Sequence, residues 1–117
     1  MTKTTVYGIP NCDSVKKAKN WLQQNNIEFK FHDFKKNGIT KQKLKEWCIE
    51  LGWETVLNKK GTTWRSLTPE EQSGVMNQQT AINCMAEKTS LIKRPVIEYK
   101  STRIIGFDEA RYQSFFK

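Results

Sequence analysis

The fold is decided by a stretch near the start of the chain, where residues 4–34 read TTVYGIPNCDSVKKAKNWLQQNNIEFKFHDF. Its first part, residues 4–9, is β-branched and aromatic and predicts a short strand. The spacing of the next apolar residues predicts a helix over about residues 13–25, with one buried face made of Val15, Ala18 and Leu22. Residues 27–34 alternate between apolar and polar side chains, which predicts a half-buried strand. We therefore expect a strand–helix–strand unit with a right-handed parallel crossover.

The rest of the chain contains a helical block followed by two strands and a helix. Residues 40–52 carry apolar side chains at helical spacing between a capping threonine and a terminal glycine. Residues 53–93 are predicted to be mostly helix and loop. Residues 96–99 and 103–105 have the pattern and separation of an antiparallel hairpin, and Asp108 is placed to cap a last helix.

These elements together predict an α/β fold. When the helical block is left out, the remaining order is that of a thioredoxin-like fold, a mixed four-stranded sheet with helices on its faces. The block, roughly residues 39–92, is then an insertion between the βαβ and ββα halves. With 117 residues the chain has the length of one domain, so we expect a single domain over residues 1–117.

Composition excludes several classes of protein. The chain is 37% hydrophobic, which is enough for a core and too much for a disordered basic tail. No apolar run approaches the roughly 18 residues of a membrane span, and the first residues lack the pattern of a signal peptide. We therefore expect a soluble cytoplasmic protein without a membrane partner, whose oligomeric state the sequence leaves open.

The net charge of +8 raises the question of a nucleic-acid partner. The basic residues are scattered in short clusters along the chain, and no predicted helix gathers them with side chains that read bases. Binding to a specific nucleic-acid sequence is therefore not expected.

The chain has three cysteines, at positions 12, 48 and 84, an odd number that cannot all pair within it. Their wide spacing argues against a secreted disulfide framework, and with a single histidine it also argues against a metal site. Cys48 lies on the apolar face of a predicted helix and is expected in the core. Cys84 lies off the apolar face of its helix and is a weak candidate for a resolving thiol.

Cys12 lies where the first strand ends and the first helix begins. Unpaired N–H groups at a helix start favour thiolate over thiol, and Lys16 adds positive charge one turn further on. A thiolate at this place is a nucleophile, although the alternative of an incidental half-buried cysteine exists. Position 15 is Val rather than a second cysteine, so catalysis would need one thiol with glutathione, or a distant resolving cysteine.

Arg94 and Pro95 directly precede the third predicted strand. Thioredoxin-like folds commonly carry a cis proline there, opposite the nucleophile. Arg94 could then reach an oxyanion or a thiolate near Cys12. The alternative is a proline at a strand start beside a solvated arginine, and local sequence does not choose between the two.

The loop at residues 61–65, GTTWR, contains a glycine, two hydroxyls and an arginine that could bind an anion or a peptide carboxylate. The favoured alternative is a capping loop that buries Trp64 in the core. His32, in the second strand, has no acidic or cysteine neighbour at useful spacing, and we interpret it as a surface histidine rather than a catalytic base.

Several motifs resemble the ArsC/Spx family, and within it the YffB branch most closely. The first is YGIPNCD at residues 7–13, followed by Lys16-Lys17-Ala18. The others, in chain order, are FHDF at 31–34, LGWE at 51–54, Leu57-Asn58, GTTWR at 61–65, Lys93-Arg94-Pro95 and Gly106-Phe107. Together they extend over almost the whole chain.

This resemblance implies a thioredoxin-like fold with a helical insertion and a nucleophilic Cys12. In arsenate reductases of the family this cysteine attacks the arsenic oxyanion, and glutathione or glutaredoxin then resolves the adduct. Arg94 matches an arginine near that cysteine and the oxyanion, Lys16 matches a basic position, and Pro95 matches the cis proline.

Two departures from the family pattern matter for function. Asn58 and Gly106 stand where arsenate reductases carry a second and a third anion-binding arginine, so we expect poor arsenate reduction. Spx proteins, transcription regulators that bind RNA polymerase, usually carry a cysteine pair as a redox switch, and Val15 removes that pair here.

The sequence therefore favours an ArsC-family reductase, a glutathione-dependent thiol reductase with one nucleophilic cysteine. Cys12 and Arg94 are the expected catalytic residues. The expected substrate-binding residues are Asn11, Lys16 and Pro95. No metal and no bound cofactor are expected; glutathione would be a co-substrate, and glutathione or glutaredoxin the partner. The alternative is an Spx-like regulator that binds RNA polymerase.

Overall fold

A computed structural model describes residues 3–116. They fall into two compact units: the first contains the chain up to Asn37 together with the chain from Arg94 onward, and the second is Gly38–Lys93. The second unit corresponds to the predicted insertion over residues 39–92. The assignment of residues 1–117 to one domain extends past the described residues at both ends and stays a prediction.

The helices and strands follow the predicted order. In the described chain they are β1 (Thr4–Gly8), α1 (Asp13–Gln24), β2 (Lys30–Asp33), α2 (Phe34–Asn37), α3 (Lys41–Leu51), α4 (Trp53–Val56), α5 (Thr62–Arg65), α6 (Pro69–Ser73), α7 (Gln78–Glu87), β3 (Val96–Tyr99), β4 (Thr102–Ile105) and α8 (Glu109–Phe116). A 3₁₀ turn, Thr89–Leu91, lies between α7 and β3. None of the described helices has the length and apolarity that crossing a bilayer requires.

The first unit contains a mixed four-stranded sheet with the strand order β2-β1-β3-β4. β1 pairs with β2 in parallel, as the predicted crossover requires, and β3 pairs antiparallel with both β1 and β4. Val6 lies between Phe31 and Ile97 in this register. The prediction of an α/β, thioredoxin-like fold is confirmed.

The core of the first unit lies between one face of this sheet and the helices α1 and α8. Its buried members are Val6, Ala18, Trp21, Leu22, Ile97, Ile104 and Tyr112. The rings of Trp21 and Tyr112 meet edge to face with their centroids 5.4 Å apart, a geometry that aromatic pairs favour. Since fully burying one large aliphatic side chain contributes about 1.5–3 kcal/mol, this cluster fixes α1 against the sheet.

The second strand is shorter than the sequence pattern predicts. β2 ends at Asp33, and Phe34 already belongs to α2. The Asp33 carboxylate accepts a hydrogen bond of 2.8 Å from the Lys35 N–H, as a capping residue does at a helix start. The apolar alternation continues through Phe34, but this local bond turns the backbone into a helix.

The second unit is built from helices with well-defined ends. The Thr40 hydroxyl accepts the Lys43 N–H at 3.1 Å at the start of α3, which ends at Gly52 with φ +89°. Trp47 and Cys48 are buried on its inner face, which confirms the predicted core position of Cys48. An isolated bridge between Leu57 and Ile92 ties the chain after α4 to the chain before β3.

β4 forms one edge of the sheet, and a side chain covers part of that edge. Gly106 N–H donates to the Pro95 carbonyl at 2.8 Å. Hydrogen-bonded and non-hydrogen-bonded pairs alternate in an antiparallel ladder. The preceding residue, Ile105, therefore forms a non-hydrogen-bonded pair with Val96 and directs its carbonyl away from β3. The Arg111 guanidinium donates to this carbonyl at 3.3 Å.

Candidate functional site

The predicted catalytic residues both lie at one end of the sheet in the first unit. Tyr7, near the end of β1, pairs with Val96, the first residue of β3. The chain leaving β1 and the chain entering β3 therefore lie at the same end. Cys12 follows β1 by four residues and Arg94 precedes β3 by two, so both come from this end.

Cys12 is the residue at the N-terminal cap of α1. Its backbone is extended, with φ −110° and ψ 126°, and its carbonyl accepts the Lys16 N–H at 3.0 Å, the first bond of the helix. The side chain makes no capping hydrogen bond and is half-buried. The sulfur thus lies at a helix start, where the first N–H groups have no partner within the helix.

The end of β1 fixes the position of this helix start. Val15, in the first turn of α1, is fully buried, and a Cβ built on Gly8 would lie 2.7 Å from Val15 Cγ2. Only a glycine allows the strand and the helix to approach so closely. The contact determines where the backbone of Cys12 lies relative to the sheet.

Arg94 and Pro95 form the other half of the site. The peptide bond between them is cis, as the first alternative from the sequence required. Pro95 is buried, whereas Arg94 is half-buried. Arg94 Nε is inaccessible to solvent and has no hydrogen-bond partner within residues 3–116. A buried donor without a partner is unfavourable, so an acceptor that reached this N–H would be stabilising.

The predicted binding residues Asn11 and Lys16 are both exposed beside Cys12. α2 begins at the same end, because Gly8 pairs with Asp33 in the parallel ladder. The charged side chains that this end contributes are Asp13, Lys16, Lys17, Asp33, Lys35, Lys36 and Arg94, together with Asp108, Glu109 and Arg111 after β4, whose Ile105 pairs with Val96. Cations outnumber carboxylates among them, which favours an anionic ligand or a thiolate. No cluster of potential metal ligands occurs in the described part of the chain.

The sequence patterns missed a polar network on the sheet. Tyr7 OH donates to the Glu98 carboxylate at 2.7 Å, and Arg103 Nε donates to its other oxygen at 3.0 Å. His32 packs beside it, with its ring centroid 4.9 Å from that of Tyr7. The network connects β1, β3 and β4 across the sheet. It could have been inferred only once the strand register was known.

The other two thiols have different surroundings. Cys48 is buried, and this burial raises the pKa of its thiol to about 11. Cys84 is half-buried, and burial raises the pKa of its thiol as well. Both lie in the second unit. At neutral pH both are therefore held as thiols, which are poor nucleophiles.

The loop at residues 61–65 differs from the favoured expectation. Trp64 remains half-buried rather than entering the core, and the segment forms the short helix α5. The Asn58 side chain packs against the start of α5, because a Cβ on Gly61 would lie 2.8 Å from the Asn58 amide nitrogen. Gly106, elsewhere in the chain, has φ +85°.

Comparisons with known proteins agree with this arrangement. The model of the ArsC family matches residues 7–115. A Haemophilus influenzae protein is 44% identical over 96% of this chain and 97% of its own length. The global transcriptional regulator Spx of Streptococcus agalactiae is 25% identical over 95% of this chain and 81% of its own.

Two solved structures are also similar. One, named YffB, is 40% identical with a TM-score of 0.91, covering 95% of this chain and 96% of its own. The other, an arsenate reductase (ArsC) related protein from Brucella melitensis, is 38% identical with a TM-score of 0.76, covering 100% of this chain and 96% of its own.

Proposed function

The chain belongs to the ArsC family, and from this membership we propose that it is a glutathione-dependent thiol reductase with one nucleophilic cysteine, Cys12. The observation that carries the proposal is the shared sheet end, from which both a thiol at a helix start and an arginine with a buried, unpartnered N–H come. Its substrate class would be mixed disulfides between glutathione and another thiol. We place it in the cytoplasm, where thiols stay reduced.

In the first step the Cys12 thiolate attacks the glutathione sulfur of the mixed disulfide. A bond forms between the two sulfurs while the substrate disulfide breaks, and the electron pair leaves on the substrate thiolate. Cys12 is then glutathionylated, and the released thiolate takes a proton from water. No metal or bound cofactor is needed for this exchange.

In the second step a glutathione thiolate attacks the glutathione sulfur of the Cys12 adduct. Oxidised glutathione leaves, and Cys12 returns as a thiolate. Glutathione thus supplies both electrons of the reduction. A glutaredoxin thiol could replace glutathione in this step with the same balance. Because Val15 occupies the place of a neighbouring cysteine, an external thiol completes the cycle in this scheme.

Arg94 would stabilise the thiolates that form and leave in both steps, because its Nε is a buried donor without a partner. Lys16 and Asn11, exposed beside Cys12, would bind the carboxylates and amides of glutathione. Buried Pro95 would present the backbone of the adjoining chain to that peptide-like thiol.

Two residues support our expectation of poor arsenate reduction. The Asn58 side chain accepts the Lys60 N–H at 3.0 Å and closes a turn. Gly106 has a positive φ that an arginine rarely adopts. Neither position offers a cation to a multiply charged oxyanion, which would have to rely on Arg94 and nearby lysines.

The similarity to Spx favours a second candidate, a regulator that binds RNA polymerase. Against it stands Val15, which is fully buried against Gly8 and provides no thiol for a redox switch. A regulator of this kind would have to sense something other than a neighbouring disulfide.

Mass spectrometry after treatment with oxidised glutathione tests the proposal. We expect one glutathione adduct, on Cys12, in the intact protein and in the control Cys84→Ser. Cys12→Ser should lose the adduct and the reduction of a glutathione mixed disulfide, and Arg94→Ala should lower kcat/KM by about a hundredfold. A disulfide between Cys12 and Cys84 would replace the monothiol scheme, and full activity in Cys12→Ser would refute it.

A further inference from the structure

The loop after α4 is strongly basic. Residues 53–69, from the start of α4 to the start of α6, contain Lys59, Lys60 and Arg65 against one acidic residue, Glu54. All three side chains are exposed. None of the three takes part in an ion pair within the part of the chain that the structure describes. The loop therefore presents positive charge that is not neutralised locally.

Two tryptophans flank one of these cations. The ammonium of Lys59 lies 5.6 Å from the ring centroid of Trp53 and 5.5 Å from that of Trp64. The two ring centres are therefore within about 11 Å of each other. Both indoles are half-buried rather than part of the core. Flat aromatic surfaces and cations thus occur together in one small area.

Hydrogen bonds hold this area in place. The Asn58 N–H donates to the Leu91 carbonyl at 2.7 Å, and its side-chain oxygen accepts the Lys60 N–H at 3.0 Å. Gln72 Nε2 donates to the Trp64 carbonyl at 2.9 Å. The backbone of this loop is held in place before a ligand binds, so ordering it on binding would cost little conformational entropy.

We call the indole–lysine surface the set Trp53, Lys59, Lys60, Trp64 and Arg65. We propose that this surface binds single-stranded nucleic acid without sequence preference. Bases stack on indole faces whatever their identity, and lysine and arginine side chains bind the phosphates between them. Each nucleotide offers one flat ring and one negative charge, and the surface has both kinds of partner.

An acidic peptide fits the surface less completely. Its carboxylates would satisfy the three cations, but they offer no flat ring to the indoles. In the bound state the Lys59 ammonium would leave the indole faces for a phosphate, which opens both rings to bases. The scattered charge elsewhere on the chain lacks such paired aromatic rings, which distinguishes this loop from a diffuse basic surface.

Fluorescence anisotropy with a labelled oligothymidylate, at low salt and with the intact chain, tests the proposal. Lys59→Gln/Lys60→Gln should weaken binding about tenfold and make the log–log salt slope shallower by about 1.4. The matched control Lys41→Gln/Lys45→Gln removes the same charge from exposed positions of α3 and should change affinity less than about twofold. Trp64→Leu should weaken binding about tenfold and reduce tryptophan quenching.

Equal weakening by the two lysine pairs would overturn the proposal in favour of diffuse charge. Unchanged affinity in Trp64→Leu would also overturn it, because stacking would then contribute nothing. A polyglutamate peptide that competes as well as the oligonucleotide would assign the surface to an acidic protein instead. If Trp64→Leu fails to fold by circular dichroism, the exposed lysine pairs still decide the outcome.

Discussion

At the residue scale, side chains whose surroundings lie within one helix differ from side chains whose partners lie far along the chain. The position of Cys12 at a helix start and the buried position of Cys48 follow from apolar spacing alone. The unpaired state of the buried Arg94 Nε could not be predicted, because no local sequence pattern shows whether a donor has an acceptor nearby. The hydrogen bond between Tyr7 and Glu98 could not be predicted from local sequence either, since the two residues lie 91 positions apart.

The buried thiol of Cys48 makes stability depend on alkaline pH. Its pKa is about 11 in the folded state and 9.0 for the unperturbed thiol. The raised pKa means that the contribution to stability is complete below pH 9 and is lost as pH rises towards 11. The full loss corresponds to about 3 kcal/mol.

Urea unfolding from pH 8 to pH 10.5 measures this effect. The free energy of unfolding should fall more steeply with pH in the parent protein than in Cys48→Ala. At neutral pH Cys48→Ala should be less stable by about 1–2 kcal/mol, because a buried sulfur is removed. Parallel pH curves for the two proteins would show that Cys48 does not ionise during unfolding in this range.

At the scale of elements, the sequence predicts the kinds of helices and strands better than their ends. α1 and the hairpin of β3 and β4 lie within a residue or two of their predicted positions. β2 begins three residues late, because periodicity along one strand does not reveal how far its neighbour extends. The close approach of β1 and α1 is a tertiary contact that periodicity cannot show either.

The contact between Gly8 and Val15 gives a test at this scale. Gly8→Ala places a methyl group 2.7 Å from Val15 Cγ2 and should destabilise the fold by about 1–3 kcal/mol through overpacking. Val15→Ala alone should also destabilise it, by leaving a cavity. In the double variant the two losses should partly cancel, because the new methyl fills the vacated space.

Denaturant unfolding of the two single variants and the double variant provides the thermodynamic cycle. If the losses in the free energy of unfolding simply add in the double variant, the backbone has moved and residues 8 and 15 are not in contact. The glutathione adduct on Cys12 can be followed in the same variants, since a displaced helix start should slow its formation in Gly8→Ala and restore it in the double variant.

At the scale of the whole molecule, the net charge of +8 is compatible with both candidate functions. The proposed reductase would use the cations at one sheet end, whereas a regulator would use charge to dock on an acidic partner. The net charge cannot distinguish the two candidate functions, because long-range attraction between charges is unspecific and screened by salt. The buried Val15 favours the reductase over the regulator, since a valine at this position excludes a disulfide between Cys12 and a neighbouring cysteine.

Binding to purified RNA polymerase tests the regulator at this scale. We expect no retention of polymerase by the immobilised protein at low salt, while Cys12 in the same preparation still accepts glutathione. Retention that persists at physiological salt would favour the regulator, whereas retention lost as salt rises would reflect unspecific charge attraction. A Cys12→Ser control would show whether the thiol takes part. Such a result would leave the indole–lysine surface unaffected, because its test uses a different ligand.

The guanidinium of Arg111 on the Ile105 carbonyl has a consequence for how copies of the protein behave when crowded. An open strand edge is a template on which a second chain can add a strand, and repetition of that step leads to aggregates. Arg111 occupies one acceptor of this template and adds a charge that repels an approaching copy. Colloidal stability at high concentration should thus depend on Arg111, a residue to which the proposed thiol chemistry assigns no role.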